Sequence, residues 1–184
     1  MKTTAKTMTL ADTIYQTQFN RTMVNKTILE YTNVLDIGKA WKVISFDCWL
    51  SSGIESMGIN ANSLLDFRFS LATDDVADPL DYWHSGDNRV IGFKEVAYAC
   101  SEDYYKPLSF TGAPTQNLNV ETYMKPNHII QTRLDIAFSG TGSGAIVESN
   151  YFDFNYIIHL EEIEITPTES IVYNIKSKGQ DLSS

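Results

Sequence analysis

Catalysis needs acids, bases, nucleophiles or metal ligands held close together, and this chain offers a few candidates. Glu161, Glu162 and Glu164 crowd one short run, where an extended backbone would put Glu162 and Glu164 on one face and Glu161 on the other. Two carboxylates flanking a glycosidic bond would suit a glycosidase. These three stand where the hydrophobic pattern changes sides, not mid-strand among aromatic residues, and a structural or interface duty is the simpler reading. Asp74, Asp75, Asp78 and Asp81 could offer oxygens to Ca²⁺, but the EF-hand spacing is absent and a solvated acidic loop accounts for them. Tyr82 and Trp83 beside them could stack on a sugar or meet a neighbouring subunit, and surface aromatics more often mark protein contacts. His84, His128 and His159 lie far apart, none with a partner at metal-ligand spacing, so no metal and no cofactor is expected. No GxSxG, CxxC, HExxH or phosphate-loop pattern occurs. The run from Ser139 to Gly144 is glycine-rich, but it joins two strand-like segments, whereas a phosphate cradle wants a helix N-terminus behind it; a flexible loop is expected. Cys48 and Cys100 sit in strand-like runs and read as buried thiols rather than a disulfide. The chain is read as not an enzyme.

The elements that would position these residues are strands. From Tyr151 to Thr166, Phe152, Phe154, Tyr156, Ile158 and Leu160 recur at every second position, a strand with one face against a core. After Leu160 the apolar parity shifts to Ile163 and Ile165, which predicts a bulge or strand end near Glu161-Glu162. Leu64 to Ala72 alternates with Leu65, Phe67, Phe69 and Leu71 inward; Trp41 to Leu50 puts Ile44, Phe46, Cys48 and Leu50 on one face. Thr27 to Ile37, Leu108 to Phe110, Leu118 to Met124 and His128 to Phe138 are further strand candidates. In Arg89 to Cys100 the apolar face changes between Phe93 and Val96, suggesting a second bulge. Thr166-Pro167-Thr168-Glu169 is a capping box with proline at the first helical position. Ile171, Val172 and Ile175 follow at helical spacing and Gly179 closes about three turns of helix. Many strands, long irregular connections and one helix predict an all-β, antiparallel, eight-stranded single jelly roll with a short C-terminal helix.

Composition sets the outer bounds. The 184 residues are 43% hydrophobic, 12% aromatic and 20% charged, enough for one core and one domain. No run approaches the ~20 apolar residues of a membrane span, and the N-terminus lacks the apolar block of a signal peptide. The sequons at Asn20 and Asn25 therefore read as chance. Net charge is −9, yet residues 1–26 carry Lys2, Lys6, Arg21 and Lys26 against Asp12 alone. An acidic body repels phosphate and argues against a dedicated nucleic-acid-binding domain; the four cations could touch nucleic acid, or simply solvate the tail. Residues 1–24, rich in Thr and without period, read as an arm that is extended or orders only on a partner, ahead of a shell domain over 25–184.

The run NYIIHLEEIEITPTESIVYNIKSKGQ (155–180) resembles the C-terminal end of single-jelly-roll coat proteins of small non-enveloped icosahedral viruses, most of all those with circular single-stranded DNA genomes. Arg89 to Thr111, with Ser101-Glu102-Asp103-Tyr104-Tyr105-Lys106-Pro107 entering a new strand, is similar to their central region. The resemblance implies a structural virion protein, made in a host cell, whose copies self-assemble into a closed shell around a genome, with no membrane. Subunit contacts would fall on Tyr82, Trp83, Tyr104 and Tyr105, and nucleic acid would meet Lys2, Lys6, Arg21 and Lys26. Coat proteins of this kind commonly carry an arginine-rich arm, which this chain lacks. The alternative is a carbohydrate-binding β-sandwich, with or without calcium, using Tyr82, Trp83 and the Asp-rich loop.

Overall fold

Strand β8, Phe152–Glu164, occupies the middle of a three-stranded sheet and buries Phe154, Tyr156, Ile158 and Leu160, as its period of two requires. The computed structural model describes residues 2–16, 24–30, 38–50, 64–73, 87, 89–99, 117–143 and 152–181. Within them β8 pairs antiparallel with β1 (Lys2–Gln16) on one side and β3 (Lys39–Leu50) on the other. The second sheet runs in the order β2 (Val24–Glu30), β7 (Arg133–Ser143), β4 (Leu64–Ala72), β5 (Val90–Ala99), β6 (Asn117–Met124), again antiparallel throughout. The pairings nest: β1 with β8, β2 with β7, β4 with β5. β3 pairs with β8 and β6 with β5 rather than with each other, and the fold is a jelly-roll β-sandwich with a C-terminal helix, α1 (Pro167–Asp181).

Aromatic rings join the two sheets. Phe154 of β8 meets Phe67 and Phe69 of β4 edge-on, ring centroids 4.9 Å apart in both cases, and Phe138 of β7 at 4.4 Å. All four are essentially inaccessible to water, and tilted contacts of this kind add to the burial of their area.

Several expectations meet a different structure. Residues 2–16 are no arm: β1 pairs along its length with β8 and buries Ile14, with Met8 and Leu10 packed on the core, so they belong to the sandwich. The boundary expected at residue 24 adjoins residues 17–23, which are outside the described residues. The glycine-rich run is no loop over its first five residues, since Ser139–Ser143 extends β7 in register with Leu64–Arg68. Pairing with β4 supplies what the glycines' weak strand propensity does not. β7 begins at Arg133 rather than His128, and the preceding residues cross between the sheets.

The irregularity expected near Glu161-Glu162 falls there in the pairing of β8 with β1, although β8 itself continues to Glu164. The irregularities lie in its neighbours, between Thr3 and Thr7 of β1, where Ala5 takes a left-handed φ of 62°, and between Val43 and Ser45 of β3. The change of parity marks a change of covered face instead. Ile163 and Ile165 pack on the outer side in a small second core with Ala40, Ile129 and Tyr173. The β3 irregularity leaves Ile44 out of the pairing and 54% exposed, while Val43, not Ile44, joins Phe46 and Cys48 in the core. In β5 the register shifts fall near Ile91 and Ala97, on either side of the expected place.

Candidate assembly surface

Helix α1 starts where the capping box places it. Thr166 Oγ1 accepts from the Glu169 amide at 3.2 Å, and the Thr166 amide donates to Glu169 Oε2 at 2.8 Å. The Thr166 amide, and its hydroxyl donating to the same Oε2 at 3.1 Å, hold the Glu169 carboxyl below the usual carboxylate range. The helix runs through Gly179 to Asp181; one glycine costs about 1 kcal/mol and does not stop it.

The apolar stripe of α1 faces solvent. Ile171, Val172 and Ile175 are 57%, 43% and 64% exposed, while the side turned to the body presents buried Ser170 and half-buried Tyr173. Two hydrogen bonds set that orientation: Gln131 Nε2 donates to Ser170 Oγ at 2.6 Å, and Tyr173 Oη donates to the Asn127 carbonyl at 3.2 Å. Tyr15 (71% exposed) and Trp49 (48%) stand on the outer face of the three-stranded sheet, in register with Asp153 and Asn155. Three aliphatic side chains at spacings of three and four on one helix make an exposed apolar stripe. The spacing was legible in the sequence; its outward direction, set by the Asn127 and Gln131 contacts, was not.

The segment carrying those contacts, Lys125 to Thr132, straps the sheets together. The Lys125 amide donates to the Ile91 carbonyl at 2.8 Å on the five-stranded side, and Trp41 and Ile130 exchange two bonds of 2.8 Å on the three-stranded side. His128, expected at a strand start facing solvent or an interface, is buried in the middle of this strap. Its Nδ1 lies 2.5 Å from the Lys125 carbonyl, and its Nε2 takes the Val43 amide at 2.8 Å. His159 is exposed, its Nδ1 2.9 Å from Thr9 Oγ1.

The expected carboxylate cluster is dispersed. Glu162 is buried, accepts from Thr4 Oγ1 at 3.0 Å and lies 3.6 Å from Lys6 Nζ. Glu164 is exposed, in register between Lys2 and Lys39, and alternation sets Glu161 on the opposite face. Glu162 thus fills the β1 irregularity as a structural acceptor. Of the four cations proposed for nucleic acid, Lys2 and Lys6 are exposed near one end of β1, whereas Lys26 is engaged by Asp12 Oδ2 at 2.6 Å, tying β2 to β1. Arg21 lies outside the described residues, as do Tyr82, Trp83, Tyr104, Tyr105, Cys100, His84 and the aspartates at 74, 75, 78 and 81. Cys48 is a buried free thiol, and burial pushes its pKa well up. Among the described residues no group of three or more His, Cys, Asp or Glu side chains could hold a metal ion, and no helix is long and apolar enough to cross a membrane.

The fold and this surface define a jelly-roll sandwich with an uncovered apolar helix stripe. No protein-family model and no curated protein matches the chain. It is similar to solved structures of the VP1 capsid proteins of two polyomaviruses. That of trichodysplasia spinulosa-associated polyomavirus, in complex with 6'-sialyllactose, is 9% identical with a TM-score of 0.48, covering 90% of this chain and 98% of that one. The unassembled VP1 pentamer of Merkel cell polyomavirus is 7% identical with a TM-score of 0.45, covering 84% and 94%.

Proposed function

We propose that the chain is a structural virion protein, copies of which self-assemble into a small icosahedral shell enclosing a viral genome. The observation that carries the reading is α1, capped and docked on the body, with Ile171, Val172 and Ile175 turned to water. Apolar surface concentrated on one element is an interface without its partner, and a closed symmetric assembly buries one such patch in every copy. The resemblance of residues 155–180 to coat proteins of circular single-stranded DNA viruses supports the same reading and suggests that genome type. Lys2 and Lys6 are exposed, Lys6 beside Glu162, and with Arg21 they are the candidates to meet nucleic acid. The test is electron microscopy of the purified chain across salt and pH. Uniform closed particles are expected; dispersed monomers in every condition would overturn the reading.

One observation favours carbohydrate binding as a second reading. Tyr15 and Trp49 project from the same outer face, with Asn155 and Asp153 between them in register, so two rings flank polar groups as a sugar's faces and hydroxyls would require. It predicts glycan-array binding that Trp49→Ala removes, and an array blank for the wild type would end it.

A further inference from the structure

We propose that His128 is an acid-labile pin, its neutral imidazole closing the Lys125–Thr132 strap on itself and holding it to β3, so that protonation frees the strap and α1 with it. The tautomer follows from the partners. The Lys125 carbonyl, 2.5 Å from Nδ1, can only accept, so Nδ1 carries the hydrogen. Nε2 is therefore bare and accepts from the Val43 amide at 2.8 Å. A second proton on Nε2 would face that N–H with another N–H, breaking the bond and placing a charge in a site 7% exposed.

Among the described residues the surrounding charges give the imidazolium little help. On β3 its neighbour is Lys42, of the same sign; burial first, and then Lys42, hold the His128 pKa down against the Lys125 carbonyl. On the strap the Lys125 ammonium is committed to the Asp87 carbonyl, and Asp87 itself is clamped by Arg89, Nη2 to Oδ2 at 2.8 Å. On β8, Glu161 stands opposite Lys42 and Glu162 opposite Trp41, the latter glutamate engaged with Thr4 and Lys6. On α1, Glu169 is bound in the capping box and Tyr173 to Asn127.

The link to α1 is direct. Asn127 and Gln131, which hold Tyr173 and Ser170, flank His128 in the strap, and Ile129 packs with Ile163, Ile165 and Tyr173. A histidine held neutral by the fold contributes stability that is full above its unfolded pKa of about 6.5 and is lost as pH falls toward the lower folded value. Acid therefore loosens the strap and the helix before the phenylalanine core.

Hydrogen exchange on the unassembled full chain, corrected for intrinsic rates, tests this apart from the shell reading. Between pH 7.5 and 5.0, protection of residues 125–132 and 167–175 is expected to fall relative to β4, as a histidine whose pKa is lowered by burial requires. His128→Gln should abolish the difference and His159→Gln should keep it. Unchanged relative protection, or the same loss in His128→Gln, would overturn the proposal. If His128→Gln does not fold, NMR of the wild type decides. The ring of His128 and the amide of Val43 should titrate together below pH 6.5, and a ring midpoint at or above 6.5 would refute the pin.

Discussion

Asp66 carries a charge that its surroundings resist. It stands beside Arg68 and Glu95, with Arg68 Nε 3.0 Å from its Oδ2 and Arg68 Nη2 3.3 Å from Glu95 Oε1. Burial, and the like charge of Glu95, outweigh the guanidinium and push Asp66 up to about 6; its Oδ1 is buried without a partner. A carboxyl raised in the folded state contributes stability below its unfolded pKa and loses it as pH rises through the folded one. Asp66→Asn should therefore melt above the wild type at pH 8, the gap closing by pH 4; a lower melting temperature for Asp66→Asn at pH 8 would contradict the assignment. The core residue Phe154, by contrast, owes its place to shape. Phe154→Ala removes the ring that touches Phe67, Phe69 and Phe138, and should cost about 3–5 kcal/mol in denaturant unfolding. Phe154 was legible from alternation alone. Glu162 was legible as a break in pattern, but its role as acceptor for Thr4 was not, because Thr4 is 158 residues distant in sequence.

Elements were readable in proportion to how far their pattern was local. β4, Leu64–Ala72, has the bounds its alternation implies, because both sheet neighbours leave that alternation undisturbed along Phe67, Phe69 and Leu71. β1 hides because threonines fill its wet face and Asp12 interrupts Met8, Leu10 and Ile14 on the other. An edge strand needs only one apolar row, and a broken row looks like a tail. Irregularities belong to pairs of strands, so those in β1 and β3 leave no mark in either segment read by itself. Gly92 shows the same dependence. A Cβ there would lie 2.5 Å from the Tyr123 carbonyl oxygen and 3.2 Å from Met124 Cα, both backbone atoms of β6. Gly92→Ala is expected to part β5 from β6, seen as lost amide protection in residues 117–124 relative to β8.

At the scale of the whole molecule, the rolled topology was legible from the number of strands and their long connections, whereas its partners were not. The residues first proposed for subunit contact, Tyr82, Trp83, Tyr104 and Tyr105, lie outside the described residues. The exposed apolar stripe the structure does display sits on α1, where helical spacing was evident but the covered side depended on strap residues 39 and 46 positions upstream of their partners. Two negative charges on that stripe should leave the fold intact, because Ile171 and Ile175 touch water already, and should oppose any apolar contact made there. Sedimentation velocity of the wild type beside the Ile171→Asp, Ile175→Asp double variant tests the account most directly. A large closed particle for the wild type and a folded monomer or small oligomer for the variant is the predicted result. A wild type that sediments as a monomer in every buffer, or a double variant that assembles equally well, would contradict it.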